Sequence, residues 1–176
     1  MMKRLADPPA TDGHSQDSLQ EECAVFGIYG SSEAHLLTAL GLHALQHRGQ
    51  VATGMVSFDG EKFNSFKGIG HVGENFSAGS KTLNDLKGHV AIGHNRYSTT
   101  GLNEVRNIQP LLTEMGFGSF AIAHNGNLIN AERLRTSLVE TGSLFQSTTD
   151  TEVIIHLVAR SHQNEPVDRL IEALQQ

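Results

Sequence analysis

Apolar and polar positions along the chain change period several times, and each change predicts an element. Residues 1–20 have no regular apolar set, being rich in Pro, Asp, Ser and Gln, and they give way to Cys23-Ala-Val-Phe-Gly-Ile-Tyr29, a short apolar run that predicts a buried strand. Ser31 and Ser32 can cap a helix from about Glu33 to Gln46, on which Leu36, Leu37, Leu40, Ala44 and Leu45 share a face. Strand patterns follow over Val51 to Phe58 and Lys62 to Lys67, joined at Asp59-Gly60, a strong hairpin pair. His89 to His94 and Ser119 to His124 predict two more short strands, each running into a polar loop that contains asparagine. Helices come last. Ala131 to Glu140 has Asn130 as its cap and Gly142 as its stop, and Thr149 followed by Glu152 has capping-box spacing before Val153, Ile154, Leu157 and Val158. Pro166 opens a final helix with Val167, Leu170, Ile171 and Leu174 on one face.

Strands followed by helices predict an antiparallel α+β fold, because a doubly wound sheet would need regular strand-helix alternation. The tail 1–22 is expected to be a disordered or removable leader, and 23–176 a single domain. The last helix reaches Gln176 without a stop signal, so truncation at the C-terminus is expected.

Composition narrows the function. With 176 residues and 38% apolar content the chain can bury one core. Thirteen Lys and Arg against nineteen Asp and Glu give a formal charge of −6, which offers no general attraction for nucleic acid. No apolar run approaches the roughly 20 residues of a bilayer crossing, and the N-terminal stretch lacks the apolar centre of an export signal. The lone cysteine, Cys23, can form neither an internal disulfide nor a multi-cysteine zinc site, and a cytoplasmic location is expected.

Two motifs invite chemistry that their context does not support. Gly68-Ile-Gly-His-Val-Gly73 matches a dinucleotide fingerprint, but no helix is predicted after it to hold a pyrophosphate, so turn glycines are the expected reading. His43 and His47 have the spacing of two metal ligands on one helix face, without an obvious third ligand. They define the weaker alternative of a metal-dependent hydrolase.

Four further positions read differently together than singly. Cys23 follows a removable-looking tail, and cleavage after Glu22 would put its thiol beside its own α-amine, whose pKa near 8 suits proton transfer. Arg96 ends a strand among hydroxyls, where a guanidinium can clamp a carboxylate. Asn125-Gly126 is either a hairpin turn or an oxyanion hole made by an amide and a backbone N–H. Asp150 is either a helix N-terminal residue or the acceptor of a substrate ammonium. A thiol, a carboxylate clamp, an oxyanion hole and an ammonium acceptor describe a site for an amino acid with an attackable carbonyl.

The segments Glu22-Cys23-Ala-Val-Phe-Gly-Ile28, Leu45-Gln-His-Arg-Gly-Gln50, Gly93-His-Asn-Arg-Tyr-Ser-Thr-Thr-Gly101, Ala123-His-Asn-Gly-Asn-Leu128 and Thr149-Asp-Thr-Glu-Val-Ile154 resemble the glutaminase domain of type II glutamine amidotransferases, most specifically the amidophosphoribosyltransferase family. That resemblance implies an N-terminal-nucleophile hydrolase fold, a four-layer αββα sandwich, incomplete at its C-terminus. It implies hydrolysis of L-glutamine to glutamate and ammonia for phosphoribosylamine formation in purine synthesis, with no transferase domain in this chain. Carried over by position, Cys23 is the nucleophile, Asn125 and Gly126 form the oxyanion hole, Arg96 holds the glutamine carboxylate, Asp150 its ammonium, Thr99 is a further substrate contact, and Arg48 supports the loop beside the nucleophile. Full-length relatives are expected to use Mg2+ and, in some, an iron–sulfur cluster, whose ligands this chain lacks. The implied partners are glutamine and either a second copy or a separate phosphoribosyltransferase chain. Ala24 stands where glycine is usual and Asn95 where an aliphatic residue is common, and both are expected to press on the site. The alternative to an active glutaminase is a non-catalytic remnant.

Overall fold

The computed structural model describes residues 23–97 and 104–176, so the expected leader 1–22 and Thr99 lie outside the described residues. In chain order the elements are β1 (Ala24–Tyr29), α1 (Ala34–Ala44), β2 (Ala52–Phe58), β3 (Phe63–Ile69), the short helices α2 (Val72–Asn75) and α3 (Lys81–Asp85), β4 (Val90–Arg96), β5 (Leu111–Met115), β6 (Gly118–Ile122), α4 (Ala131–Glu140), α5 (Thr151–Arg160) and α6 (Pro166–Leu174). Four strands form one antiparallel sheet in the order β1-β4-β2-β3, and β5 pairs antiparallel with β6.

Helix α1 covers one face of the larger sheet, and Leu42, Met55, Val72, Phe76, Leu83 and Leu86 fill the space between them. The opposite face meets the small sheet, where Val56, Phe58 and Ile92 face Phe120 and Ala121 of β6 across a cleft. Beyond the small sheet, Ile154 and Val158 of α5 and Ala173 of α6 pack with Met115, Phe117 and Ile122. The layers are therefore helix, sheet, sheet, helix, as the resemblance implies.

Several local expectations give way to packing. The buried face of α1 is Ala34, His35, Thr38, Ala39 and Leu42, while Leu37 and Leu40 are exposed. Close approach explains the choice, since a Cβ at Gly93 would lie 2.6 Å from Leu42 Cδ1 and 3.0 Å from Thr38 Cγ2. A helix so near the sheet needs small and β-branched contacts rather than a leucine row. β1 is an edge strand rather than a fully buried one, with Val25 and Tyr29 exposed, because among the described residues it pairs only with β4. β5 goes unpredicted by the apolar pattern, its Leu-Leu-Thr-Glu-Met having no clean alternation. The Thr149–Glu152 capping box does not form either. The Glu152 carboxylate instead accepts from the Gln146 and Ser147 N–H groups at 2.8 and 2.7 Å, tying the preceding loop to the first turn of α5. Finally, one helical turn does form at the end of the glycine motif, beginning at Val72, but Gln46 Oε1 takes the Val72 N–H and Glu74 reaches back to the His71 N–H. A carboxylate at that end disfavours a pyrophosphate.

Candidate active site

Strand pairing sets the nucleophile candidate beside the carboxylate clamp. Ala24 lies opposite Asn95, so Cys23 sits at the end of β1 next to the end of β4. The Tyr97 N–H donates to Cys23 Sγ at 3.4 Å, and the thiol points back to the Tyr97 carbonyl at 3.7 Å. Cys23 has φ 62°, in the left-handed region that costs a non-glycine residue about 1–2 kcal/mol. Its carbonyl oxygen is held from two sides, by Arg48 Nε at 3.0 Å and Asn125 Nδ2 at 3.4 Å. Arg48 reaches that oxygen because Gly49 lies against β4, where a Cβ would meet the Asn95 backbone at 2.8 Å.

Alternation along β4 sorts its residues into two groups. Gly93 and Asn95 face α1. Asn95 is buried and satisfied there, donating to the Leu42 carbonyl at 2.7 Å and accepting from Thr53 Oγ1 at 3.0 Å. It therefore does not press on the site, against expectation. His94 and Arg96 face the other way, into a cleft of about 580 Å³ that Cys23, Tyr97 and Asp150 also line. Arg96 Nη1 is buried with no hydrogen-bond partner among the described residues. A guanidinium nitrogen left in that state is costly unless an anion meets it.

His94 is buried, and neither ring nitrogen is hydrogen-bonded among the described residues. Burial first, then the nearby charges of Arg96 and His124, push its pKa down to about 4, with the His124 backbone opposing slightly. It is therefore neutral at physiological pH. An unfolded histidine takes a proton near 6.5, so this group's contribution to stability is complete above pH 6.5 and is lost as pH falls toward 4. Loss on the order of 3 kcal/mol at most is expected over that window. Urea midpoints measured from pH 7 to 4 should fall less steeply in His94→Gln than in the parent. Equal slopes would show that His94 does not titrate in this way.

The remaining wall comes from loops. Strand β6 ends at Ile122 and the chain runs on through Asn125 to α4, so Asn125-Gly126 is not a hairpin turn between paired strands. Gly126 has φ 148°, and a Cβ there would lie 2.9 Å from His124 Nε2, which restricts the position to glycine. Both residues are exposed at the mouth beside Cys23 rather than deep in the cleft. Asp150 stands at the N-terminus of α5, where its Oδ2 accepts the Leu128 N–H at 2.7 Å and lies 3.9 Å from His124 Nδ1. Arg135 of α4 donates to the Ser147 and Thr149 carbonyls at 3.1 and 2.7 Å and stacks on Phe145, steadying the loop that carries Asp150.

Of the predicted residues, the structure brings Cys23, Arg96 and Asp150 to one cleft and Asn125 to the Cys23 backbone. His94, Asn107, Gln109 and Arg135 also belong to it and were not expected, since no residue spacing announces a buried amide or an orphaned histidine. The metal alternative loses its geometry. α1 ends at Ala44, His47 falls in the next tight turn, and both imidazoles are exposed. Among the described residues no group of three His, Cys, Asp or Glu could hold a metal ion, and one cysteine cannot ligate an iron–sulfur cluster.

Known proteins resemble this chain over most of its length. A family profile described as a glutamine amidotransferase domain matches residues 78–171. The amidophosphoribosyltransferase of Rhizobium etli is 52% identical over 168 residues, covering 96% of this chain and 34% of that protein. The protein of the same name from Lacticaseibacillus casei is 46% identical over 147 residues, covering 84% of this chain and 75% of that sequence. A solved structure of glutamine phosphoribosylpyrophosphate amidotransferase from Bacillus subtilis, complexed with ADP and GMP, superposes with a TM-score of 0.78 at 47% identity, covering 86% of this chain and 32% of that one. The chain thus spans about a third of the Rhizobium and Bacillus proteins.

Proposed function

The chain belongs to the amidophosphoribosyltransferase family and carries its glutamine amidotransferase domain, with the N-terminal-nucleophile hydrolase fold, and on that premise we propose that it hydrolyses L-glutamine to glutamate and ammonia at Cys23. The observation that carries this reading is the cleft in which the Cys23 thiol, the unpartnered Arg96 Nη1 and the Asp150 carboxylate stand together.

In the proposed reaction the chain begins at Cys23. Its free α-amine takes the thiol proton, and Sγ attacks the side-chain amide carbon of glutamine. The carbonyl electrons move to oxygen, where the Asn125 amide and the Gly126 N–H stabilise the tetrahedral oxyanion. Collapse breaks the C–N bond, and the amine returns its proton to the departing ammonia, leaving a thioester. Water then adds with the amine as base, and glutamate leaves as the thiol reforms. Arg96 clamps the α-carboxylate and Asp150 the α-ammonium, which supplies the orientation that makes attack effectively unimolecular. Thr99 is assigned as a further substrate contact on the resemblance alone.

The ammonia acceptor is phosphoribosyl pyrophosphate, bound by a transferase domain on the same or a separate polypeptide, and Mg2+ or a cluster would belong to that domain. A cytoplasmic location fits this chemistry, and among the described residues no helix is long and apolar enough to cross a membrane.

The test is to pair intact mass with a glutamate-release assay. A chain that starts at Cys23 should turn over glutamine, and one with a residue added ahead of Cys23 should not. Unchanged turnover with the amine blocked would overturn the mechanism. A correctly processed chain that releases no glutamate would favour the non-catalytic alternative.

A further inference from the structure

Two amide side chains, Asn107 and Gln109, stand two residues apart just before β5, and both are buried. Neither is spent on its own segment. The Gln109 side chain makes a two-point contact with one distant residue, accepting the His124 N–H at 2.7 Å and donating from Nε2 to the His124 carbonyl at 3.3 Å. Asn107 also grips one distant residue, 41 positions away, accepting the Thr148 N–H at 2.9 Å and donating to the Thr148 hydroxyl at 2.8 Å. Gln109 thus presents a donor and an acceptor at the spacing of a peptide unit and acts as the strand neighbour that the His124 loop lacks, while Asn107 holds Thr148 by its N–H and hydroxyl together.

The two gripped residues lead directly to site groups. His124 immediately precedes Asn125-Gly126, and Thr148 lies two residues before Asp150. The segment between the two amides is itself seated on the larger sheet. Gly54 of β2 lies under it, and a Cβ there would meet the Gln109 carbonyl oxygen at 2.3 Å and the Ile108 side chain at 3.2 Å. Ile108 is buried. A short stretch anchored on the sheet that carries Arg96 therefore holds both loops that complete the cleft.

We propose that Gln109 and Asn107 are positioning residues of the glutaminase site, resting on the function proposed above. Gln109 sets the oxyanion loop and Asn107 sets the loop of the ammonium acceptor. The division of labour has a kinetic consequence. Oxyanion stabilisation is felt in the transition state, whereas the ammonium is held equally in ground and transition states.

The experiment compares Gln109→Met and Asn107→Leu, which keep approximate volume and remove the amide, with Gln109→Glu, which retains an acceptor for the His124 N–H. Gln109→Met is expected to lower kcat about 10- to 100-fold with glutamine KM within about threefold. Asn107→Leu is expected to raise KM about tenfold or more with kcat within about threefold. Gln109→Glu should recover part of the lost kcat. Amide hydrogen exchange on the same proteins reads the loops independently of turnover. Gln109→Met should speed exchange at 124–126 and not at 148–150, and Asn107→Leu the reverse. Equal effects of both variants on kcat and KM, or exchange rising in both loops together, would overturn the assignment. If the parent chain itself fails to release glutamate, the glutaminase reading falls, and the exchange pattern alone decides for or against the two clasps.

Discussion

Cys23→Ala is expected to stop glutamate release, with kcat falling by at least about 10³-fold, while the protein folds and binds glutamine nearly as the parent does. The nucleophile has no understudy, because it is the single cysteine of the chain and the cleft offers no other thiol. Fold and binding survive because the thiol sits at a strand end and is only half-buried, where it accepts the Tyr97 N–H. Cys23→Ser sharpens the result. A hydroxyl can accept the same Tyr97 N–H and use the same amine as base, but it is a much weaker nucleophile than a thiol, so turnover should fall far below the parent's without reaching zero. The measurements are initial rates of glutamate release, glutamine affinity by calorimetry and thermal midpoints. Turnover by Cys23→Ala within tenfold of the parent would sink the cysteine mechanism, whatever the affinity.

The second large effect is expected at Asn125. Removing one oxyanion donor typically costs about 10²- to 10³-fold in kcat, and Asn125→Ala should lie in that range with KM moved only a few-fold. Stability should change by about 0.5 kcal/mol or less, since the side chain is exposed and its hydrogen bond to the Cys23 carbonyl is long at 3.4 Å. That weak contact suits a donor that must turn from a resting partner to a developing charge. Asn125→Asp should be worse than alanine, because a carboxylate repels the oxyanion it replaces a donor for. Kinetic constants for both variants check this. Asn125→Ala with kcat within threefold of the parent would remove the residue from the oxyanion hole.

How much of this was legible beforehand depends on the range of the interactions. Elements defined by near neighbours came through: the β2–β3 hairpin at Asp59-Gly60, α4 between Asn130 and Gly142, and α6 from Pro166. Cys23, Arg96 and Asp150 were legible because each combines a reactive group with a strand end or helix start. The buried face of α1 was not, since it is dictated by Gly93 on a strand some fifty residues away rather than by the helix's own leucines. Glu152 had capping-box spacing but found better donors in a loop. Asn107 and Gln109 were invisible for the same reason, as a buried amide looks like any surface amide until its distant partner is known. Thr99 stays with the resemblance that suggested it.

Strand β4 divides its labour by parity, and this bears on how the protein can vary. Substitutions at Ala91, Gly93 and Asn95 act on the contact with α1 and should register as abundance or melting temperature. Those at Arg96 act on the cleft and should register as rate or affinity. Neighbouring codons thus control traits that selection can tune separately, so core packing against α1 can change at one position of the strand without disturbing the chemistry at the next.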